Sequence, residues 1–459
     1  MSVINPCPFC HKKQEEINRL KDEIICLKDR LRHRERTEKE GFFGSSTPPS
    51  QKPVKANTQE KPKKPRGAKN GHEGFGRKSL AFSDADHVER VAGETGELCP
   101  VCGDPLEDKG DDHRSVLDSR PVKAEKIIYL LERKWCRRCR KTFRAEPPGV
   151  LPKNLYGNQL MANAAVMHYQ HGIPVGRVCE QLGIGDGALL NIFHRMANLF
   201  SGIVPELIEQ YRQSLVKHAD ETSWRTNGKN GYAWLFATTT MSIFLFKKTR
   251  SASVPREVFG EERLPGTLVV DRYNGYNKMP CNIQYCYSHL LREVQDIEKE
   301  FPDQNEGLAF VASVAPLLAL AMGLRRHPLS DDQFYQKALE VKTQIKTLME
   351  SPARHMAIRR IQDIFTENEA RLYHWTVNRD LPPENNLAER DLRPTVIARK
   401  VSFGSQSDGG AYSRGVLMTV VHTLKKQGVD VAARLKYTLD QLAKDMSMDP
   451  FDLLFPRPP

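Results

Sequence analysis

The sequence predicts a multidomain α+β protein, and three observations support this fold class. The 459 residues are more than one hydrophobic core usually holds. Near residue 214 the spacing of apolar residues changes from the period of helices to the two-residue period of strands. Three Cys-x-x-Cys pairs lie upstream of this change. We therefore expect small amino-terminal modules followed by a larger body that contains a sheet.

Residues 1–40 are predicted to form an amino-terminal helix with a short coiled-coil seam. The apolar residues of the seam follow spacings of three and four, as in a heptad repeat; they are Ile17, Leu20, Ile24, Leu27 and Leu31. The seam covers little more than two heptads. Self-association through it and packing on the body of the same chain therefore both stay open.

Residues 41–80 are predicted to be a flexible basic arm, because their Gly, Pro, Ser and Lys content cannot form a core. Nine Lys or Arg against two Glu give residues 52–78 a charge of +7, out of +12 for the whole chain. Such a charge attracts phosphate backbones, although a solvated linker has the same composition. The residues expected to contact DNA here are Lys63, Lys64, Arg66, Lys69, Arg77 and Lys78.

Residues 81–147 are predicted to form a zinc-ribbon-like module. Cys99 and Cys102 form one Cys-x-x-Cys pair, and Cys136 and Cys139 form a second after 33 intervening residues. Four thiolates at the tips of two hairpins suit tetrahedral Zn²⁺, whereas four buried thiols are the alternative. The stretch VKAEKIIYLLERKW between the pairs is predicted to be a strand.

A further pair, Cys7 and Cys10, has no second pair nearby. It could be half of a site that another chain completes, but we favour no metal role for it. Residues 148–213 are predicted to be a helical DNA-binding region, since IPVGRVCEQLGIGDGALLNIFHRM has two helical stretches around a Gly-containing turn. Any helical hairpin shows the same outline, so a plain packing role is an equal alternative.

Residues 214–302 are predicted to hold the first part of a catalytic core. SLVKHADETSW, YAWLFATTT and MSIFLFKK alternate as three antiparallel strands, and GTLVVD and IQYCYSH follow after a helix as two more. This is the order of a ribonuclease H-like fold, in which the first and fourth strands lie side by side. Asp220 and Asp271 would then meet at one edge of the sheet.

A third acid is predicted on a helix in residues 381–425, after a helical insertion at residues 303–380. That helix should begin near Pro383 or Asn385 and be limited by Pro394, with Glu389 in its middle. Glu384 is the main rival, but at the start of the helix it suits the helix dipole better. Residues 426–459 are predicted to be a helical tail.

Three carboxylates in this order predict a two-metal site. Mg²⁺ prefers oxygen ligands, and two such ions about 3.5–4 Å apart catalyse in-line phosphoryl transfer. We expect Asp220, Asp271 and Glu389 to bind Mg²⁺ or Mn²⁺. Arg393, Arg399 and Lys400 would hold DNA phosphates beside the metals, with ordinary surface pairing as the alternative.

Cys286 and His289 follow the fifth predicted strand in CYSH. They could bind a metal, orient a phosphate or simply pack. With only two ligands in view, we favour a structural or phosphate-orienting role over zinc.

The chain resembles the DDE transposases of the insertion sequence 66 family over nearly its whole length. The segments that carry the resemblance are SSTPPSQKP, RGAKNGHEG, CPVC with CRRC, HADETSWRTNGKNGYAWLFAT, VVDRYNGYN, CYSHLLREVQD and PENNLAERDLRPTVIARKVSFGSQSDGGA. The resemblance implies a ribonuclease H-like fold, Mg²⁺ dependence, the acidic triad Asp220, Asp271 and Glu389, and four zinc-ligating cysteines at 99, 102, 136 and 139. The early CPFC departs from the pattern, as does Arg272 beside the second acid.

The sequence thus predicts a transposase that binds terminal inverted repeats, cuts DNA and joins the 3′ end to a target. A DNA-binding repressor without catalysis and a structure-specific nuclease of the same fold are the alternatives. Expected partners are double-stranded DNA, further copies of the chain and, in one hypothesis, accessory proteins of the same element. Because the first thirty residues are charged and no apolar run of eighteen is evident, we expect a cytoplasmic protein without a membrane span.

Overall fold

The computed structural model describes residues 123–456 except Arg137 and Cys139, and scattered positions before them. Those positions are 12, 13, 15–21, 23, 24, 27, 28, 31, 82–84, 88, 101, 102 and 105. Contacts divide the chain into two compact units, one of Met1–Arg34 with Lys123–Pro459 and one of Glu35–Val122. The predicted arm at 41–80 and the Cys7/Cys10 pair lie outside the described residues.

The described positions between residues 12 and 31 are helical, as predicted. All five seam residues are exposed, with 44–58% of their surface accessible. The seam therefore does not pack on the body of the described chain.

A short hairpin precedes the main body. Strand β1 (Arg133–Cys136) pairs antiparallel with β2 (Lys141–Arg144). The prediction of a strand over all of VKAEKIIYLLERKW was too long, because residues 123–132 are not in a strand. Ile128 and Leu130 are exposed there, so no partner strand stabilises the extended structure that these residue types favour.

Four helices and a π-helical segment, Val166–Gln170, form the next layer. The helices are α1 (Asn158–Ala165), α2 (Val175–Leu182), α3 (Asp186–Leu199) and α4 (Ile203–Gln213). Gly183 ends α2 in the left-handed region, at φ 64°, where glycine has no steric penalty. The predicted pair of helices around a Gly-containing turn is therefore confirmed, whereas its DNA contact stays a prediction.

A five-stranded mixed sheet forms the centre of the body. Its strands are β3 (Val216–Thr226), β4 (Lys229–Ala237), β5 (Ser242–Lys247), β6 (Thr267–Val270) and β7 (Asn282–Tyr285), in the spatial order β5-β4-β3-β6-β7. The first three strands pair antiparallel, and β6 and β7 continue the sheet in parallel with β3. The predicted neighbourhood of the first and fourth strands is confirmed. Helix α5 (Ser253–Phe259) makes the connection between β5 and β6.

Helices cover the sheet and extend beyond it. They are α6 (Tyr287–Glu300), α7 (Asn305–Leu324), α8 (Asp331–Glu350), α9 (Met356–Glu367), α10 (Asn386–Ser402), α11 (Asp408–Lys426), α12 (Val431–Lys444) and α13 (Pro450–Leu454). Helix α11 packs on the edge strand β5, and its Thr419 and Thr423 hydroxyls accept hydrogen bonds from two β5 amides. These side chains thereby pair with backbone amides that would otherwise be unpaired at the edge of the sheet.

The helical insertion between α6 and α10 is confirmed as helical, and it contains one long apolar helix. Helix α7 is long and apolar enough to cross a membrane by length and composition, with a mean hydropathy of 2.1. A single helix of this kind is weak evidence for a span, since core helices pass the same test. Helix α7 packs against α6 and α8 and buries Val314 and Leu318.

Candidate active site

The first predicted acid, Asp220, lies in β3, the central strand of the sheet. Its Oδ1 accepts a hydrogen bond of 2.8 Å from the backbone N–H of Glu221. Within the described part of the chain Asp220 forms no ion pair. The side chain is partly buried, and no cationic side chain among the described residues neutralises its carboxylate.

The second acid, Asp271, follows the last residue of β6. The parallel register pairs His218 with Val269, and two further residues along each strand bring Asp220 beside Asp271. The carboxylate of Asp271 accepts a hydrogen bond of 2.9 Å from the N–H of Tyr273 in the same turn. The sheet thus places the two acids at one point, as the strand order predicts.

The third acid, Glu389, lies near enough for its charge to act on Asp220. Burial raises the pKa of Asp220 well above its usual value, and the charges of Glu221, Asp271 and Glu389 raise it further. Burial also raises the pKa of Asp271, although the Tyr273 N–H and two arginines oppose this effect. Negative charge therefore accumulates around Asp220 from three different elements.

Glu389 stands in the first turn of α10, not in the middle of a helix as predicted. The helix also continues through Pro394 to Ser402, so the expectation that Pro394 limits it was wrong. Burial of Leu392 and Thr395 on either side of the proline holds the helix despite the lost backbone hydrogen bond. Its first-turn position gives the carboxylate of Glu389 the favourable end of the helix dipole.

Asn385, the residue before α10, fixes the helix to the sheet. Its side-chain N–H donates to the carbonyl of Ala219 at 2.8 Å, and its Oδ1 lies 2.9 Å from Nδ1 of His218. Both partners belong to β3 and immediately precede Asp220. One buried amide therefore sets the position of Glu389 relative to Asp220.

Two polar side chains of α6 lie close to Glu389. Its Oε1 lies 3.9 Å from Nδ1 of His289 and 3.4 Å from Nη2 of Arg292. Cys286, His289 and Glu389 have ligand atoms that all lie within 4.8 Å of one another, and no other such trio of metal-ligating side chains occurs among the described residues. The three predicted acids are thus coupled through their charges but do not meet this distance in the structure.

Glu221 is a site residue that the sequence reasoning missed. It follows Asp220 on β3 and is buried, with 1% of its side chain exposed. Arg250 contacts its Oε1 at 2.6 Å, and the hydroxyl of Tyr276 donates to its Oε2 at 2.5 Å. Two successive acids in an apolar strand were the available signal, because a strand turns them to opposite faces.

The Glu221 network holds the turn that carries Asp271. Tyr276 belongs to that turn, and the hydroxyl of Tyr273 donates to the carbonyl of Arg250. The guanidinium of Arg250 also lies 3.9 Å from the centre of the Tyr273 ring. Glu221 is thereby held by internal partners that connect β3 to this turn.

Glu384, the rival third acid, lies before α10 and not in it. It is buried, its Oε1 is 3.7 Å from Nη2 of Arg326, and burial raises its pKa. Glu389, and not Glu384, is among the charges that raise the pKa of Asp220. Arg272, which departs from the family pattern, forms an ion pair with Glu293.

The predicted DNA-contacting residues on α10 differ in their exposure and in their contacts within the protein. Arg393 and Lys400 are exposed. Arg399 instead donates from Nη1 to Thr222 Oγ1 at 3.0 Å and to the Ser223 carbonyl at 2.7 Å. These contacts tie α10 to β3, and a DNA contact by Arg399 stays a prediction. Lys63, Lys64, Arg66, Lys69, Arg77 and Lys78 lie outside the described residues.

The predicted zinc ligands are only partly described. Cys99 and Cys139 lie outside the described residues, Cys102 is exposed, and Cys136 is the last residue of β1. The hairpin between β1 and β2 spans the CRRC motif. Zinc binding by the four cysteines stays a prediction.

Known proteins match this chain over most of its length. Residues 153–413 match the Transposase IS66 family, a range that contains the sheet and all three acids. Two relatives come from Sinorhizobium fredii (strain NBRC 101917 / NGR234). Uncharacterized protein y4qI is 24% identical over 424 residues, 81% of this chain and 76% of the relative. Uncharacterized protein y4hP is 21% identical over 418 residues, 77% of this chain and 72% of the relative. The family match covers more than half of the chain, which therefore belongs to the IS66 family of transposases.

Proposed function

We propose that the chain is a DDE-type transposase that binds the terminal inverted repeats of an insertion sequence and catalyses metal-dependent DNA cleavage and strand transfer. The observation that carries the proposal is that the sheet register and the Asn385 contact bring acids from two other elements toward Asp220. Asp220 lies in β3, Asp271 in the turn after β6 and Glu389 in the first turn of α10. The charges of Asp271 and Glu389 both raise the pKa of Asp220. Family membership makes DNA the natural substrate.

The donor set fits divalent magnesium or manganese. Asp220, Asp271 and Glu389 offer hard oxygen ligands, and their mutual repulsion would be offset by a cation between them. Such a cation supplies an activated oxygen nucleophile and stabilises the leaving oxygen. The protein itself aligns the acids, through Asn385 for Glu389 and through Glu221 and its partners for Asp271.

We also propose that the sheet is a ribonuclease H-like core. The support is the strand order β5-β4-β3-β6-β7, with three antiparallel strands followed by two parallel ones. The helices α7, α8 and α9 form an insertion between that core and α10. This arrangement explains why Glu389 lies so far along the chain from the two aspartates.

DNA would reach the acids along a basic surface. Arg393 and Lys400 are exposed on the same helix as Glu389, and Arg292 lies on α6 with 58% of its side chain exposed. Backbone contacts of this kind supply affinity without sequence information. End recognition would come from the basic arm, the four-cysteine zinc module and the α2–α3 hairpin.

Transposition requires two DNA ends, so we propose that copies of the chain assemble. The exposed seam of Ile17, Leu20, Ile24, Leu27 and Leu31 supports this part of the proposal, since five exposed apolar residues at heptad spacing favour a partner helix. Accessory proteins of the same element are further proposed partners. The expected place of action is bacterial DNA in the cytoplasm.

The proposal is tested with DNA that bears the inverted repeats flanking the encoding gene. We expect Mg²⁺-dependent cutting at the repeat ends and joining of the 3′ end to target DNA. Asp220→Asn, Asp271→Asn and Glu389→Gln should each lower cutting by about 10³-fold or more. All three should bind the ends as the unaltered protein does, since they remove ligands and not the DNA surface.

The same assay separates the alternatives. A repressor would bind the ends without cutting them at any metal concentration. A structure-specific nuclease would cut DNA that lacks the matched repeats equally well. A triad variant that still transfers strands would remove that residue from the proposed site.

A further inference from the structure

We propose that Cys286, His289 and Glu389 form a second metal site, which takes thiophilic cations such as Zn²⁺ and thereby withholds Glu389 from the two aspartates. The three ligand atoms lie within 4.8 Å of one another. Their chemistry, a thiol, an imidazole and a carboxylate, is typical of zinc and differs from the all-oxygen set proposed for Mg²⁺. From the sequence, only Cys286 and His289 could be grouped as a pair.

The topology brings the ligands together from two helix starts. Cys286 is the residue before α6, and His289 lies in its first turn. Glu389 occupies the first turn of α10, which Asn385 fixes to the sheet. Both helix dipoles favour negative charge here, which offsets part of the cost of the buried thiolate and the carboxylate that a metal requires.

Individual atoms are suitably placed for a metal. Nδ1 of His289 is buried and has no hydrogen-bond partner, although it lies 3.9 Å from Glu389 Oε1. The thiol of Cys286 is buried and accepts a hydrogen bond of 3.1 Å from the Asn385 N–H. An unpartnered imidazole nitrogen that faces a carboxylate and a sulfur is explained by a cation between them.

The remaining adjustment is small. Tetrahedral zinc with bonds of about 2.0–2.3 Å needs ligand atoms roughly 3.5 Å apart. His289 and Glu389 have side chains 35% and 32% exposed, so surrounding residues do not fully enclose either one. Arg292 now lies 3.4 Å from both side chains, and it must swing away when a cation enters. Its side chain is 58% exposed, which leaves that movement unobstructed.

The consequence for activity rests on the proposed function. Glu389 cannot serve two cations of different preference at once, so zinc held by Cys286 and His289 would compete with the Mg²⁺ that DNA cutting requires. Micromolar zinc would then lower cutting even with magnesium in large excess. Removal of the sulfur should relieve this inhibition, because magnesium does not use it.

The test uses the full-length protein at buffered free zinc with excess Mg²⁺. Cys286→Ser retains an acceptor for the Asn385 N–H and a good residue at the helix start, yet lacks the soft ligand. His289→Asn is the second variant, at a partly exposed position where folding is less at risk. Cys281→Ser is the matched control, since Cys281 is also buried but lies outside the trio.

We expect Cys286→Ser and His289→Asn to bind about one zinc equivalent fewer than the unaltered protein, and Cys281→Ser to bind the same number. With Co²⁺ as the probe, Cys286→Ser should also lose part of the sulfur-to-metal absorption. Half-inhibition of DNA cutting should require at least about tenfold more zinc in Cys286→Ser. Unchanged zinc content in both variants would overturn the site. Failure to cut DNA would contradict the proposed function, whereas the metal count would still decide the second site.

Discussion

Asp220 and Glu221 are adjacent residues with different polar partners. Asp220 lies among other acids without a cation, whereas Glu221 is neutralised by Arg250 and bonded to Tyr276. The alternation of side chains along β3 produces this difference, because each strand residue faces away from its neighbour. The proposed metal ligand and the proposed positioning residue are thus consecutive carboxylates.

Glu221→Gln should destabilise the fold more than a surface acid does. The substitution leaves Arg250, whose side chain is 14% exposed, without its carboxylate. Loss of one partner from a buried pair costs about 3 kcal/mol. Chemical denaturation measures this loss, and Glu209→Gln is the control because its pair with Arg212 is exposed and is worth less than about 1 kcal/mol. Equal effects of the two substitutions would refute the positioning role of Glu221.

The sequence predicted which acids approach one another better than it predicted their surroundings. Strand order and motif order predicted Asp220, Asp271 and Glu389 without any contact information, although Asp220 lies within β3 and not at its end. Their role as metal ligands stays a prediction. The partners Asn385, His218 and Arg250 could not be foreseen, because long-range hydrogen bonds have no local pattern. Cys286 and His289 were recognised as a pair, but Glu389 joins them only through the packing of α6 beside α10.

Helix α10 links the sheet to the site and depends on a few contacts at its two ends. Asn385 fixes its start to His218 and Ala219, and Arg399 fixes its last turn to Thr222 and Ser223. Both anchors lie on β3, the strand that carries Asp220. The distance between Glu389 and Asp220 is therefore set by one helix on one strand.

Asn385→Ala should loosen the start of α10 and lower both stability and cutting. It removes one buried donor and one buried acceptor and leaves the Ala219 carbonyl without this partner. Such a loss costs about 1–3 kcal/mol. Thermal unfolding and the end-cutting assay measure the two effects, with the exposed neighbour Asn386→Ala as the control. If Asn386→Ala were as harmful as Asn385→Ala, the anchoring role would be wrong.

Elements with strong periodicity were predicted well, and the errors arose where tertiary packing decided. All five strands of the central sheet and its helical insertion match the sequence pattern. Pro394 was expected to end its helix, but the helix continues because the neighbouring residues are buried. Residues 123–132 have strand propensity but no partner strand. Helix α7 was not recognised as a membrane-length helix because Gly307, Ser313 and Pro316 interrupt its apolar run.

At the scale of the whole molecule, buried histidines link stability to pH. Burial lowers the pKa of His168, His218 and His422 from 6.5 to about 4 each. The folded protein keeps them neutral, whereas the unfolded chain protonates them below about pH 6.5. Their contribution is therefore fully present above pH 6.5 and is lost as the pH falls toward 4. Buried acids with raised pKa values, such as Glu221, act in the opposite direction.

A substitution isolates the histidine contribution from that of the acids. His422→Gln keeps a donor for the Tyr169 carbonyl, which Nε2 of His422 contacts at 3.1 Å, but cannot titrate. Between pH 7 and pH 5 the unaltered protein should lose about 2 kcal/mol more stability than this variant. Denaturant unfolding at the two pH values measures the difference, and His171→Gln is the control because His171 is exposed. Identical pH profiles for the His422 variant and the unaltered protein would contradict the assignment.

The central claim for the whole molecule is that Asp220, Asp271 and Glu389 bind the same divalent cations. Titration of the full-length protein with Mn²⁺, followed by electron paramagnetic resonance, tests it most directly. We predict that Asp220→Asn, Asp271→Asn and Glu389→Gln each weaken Mn²⁺ binding at least about tenfold, while Glu384→Gln binds as the unaltered protein does. Undiminished Mn²⁺ binding in all three triad variants, or a loss confined to Glu384→Gln, would contradict the account.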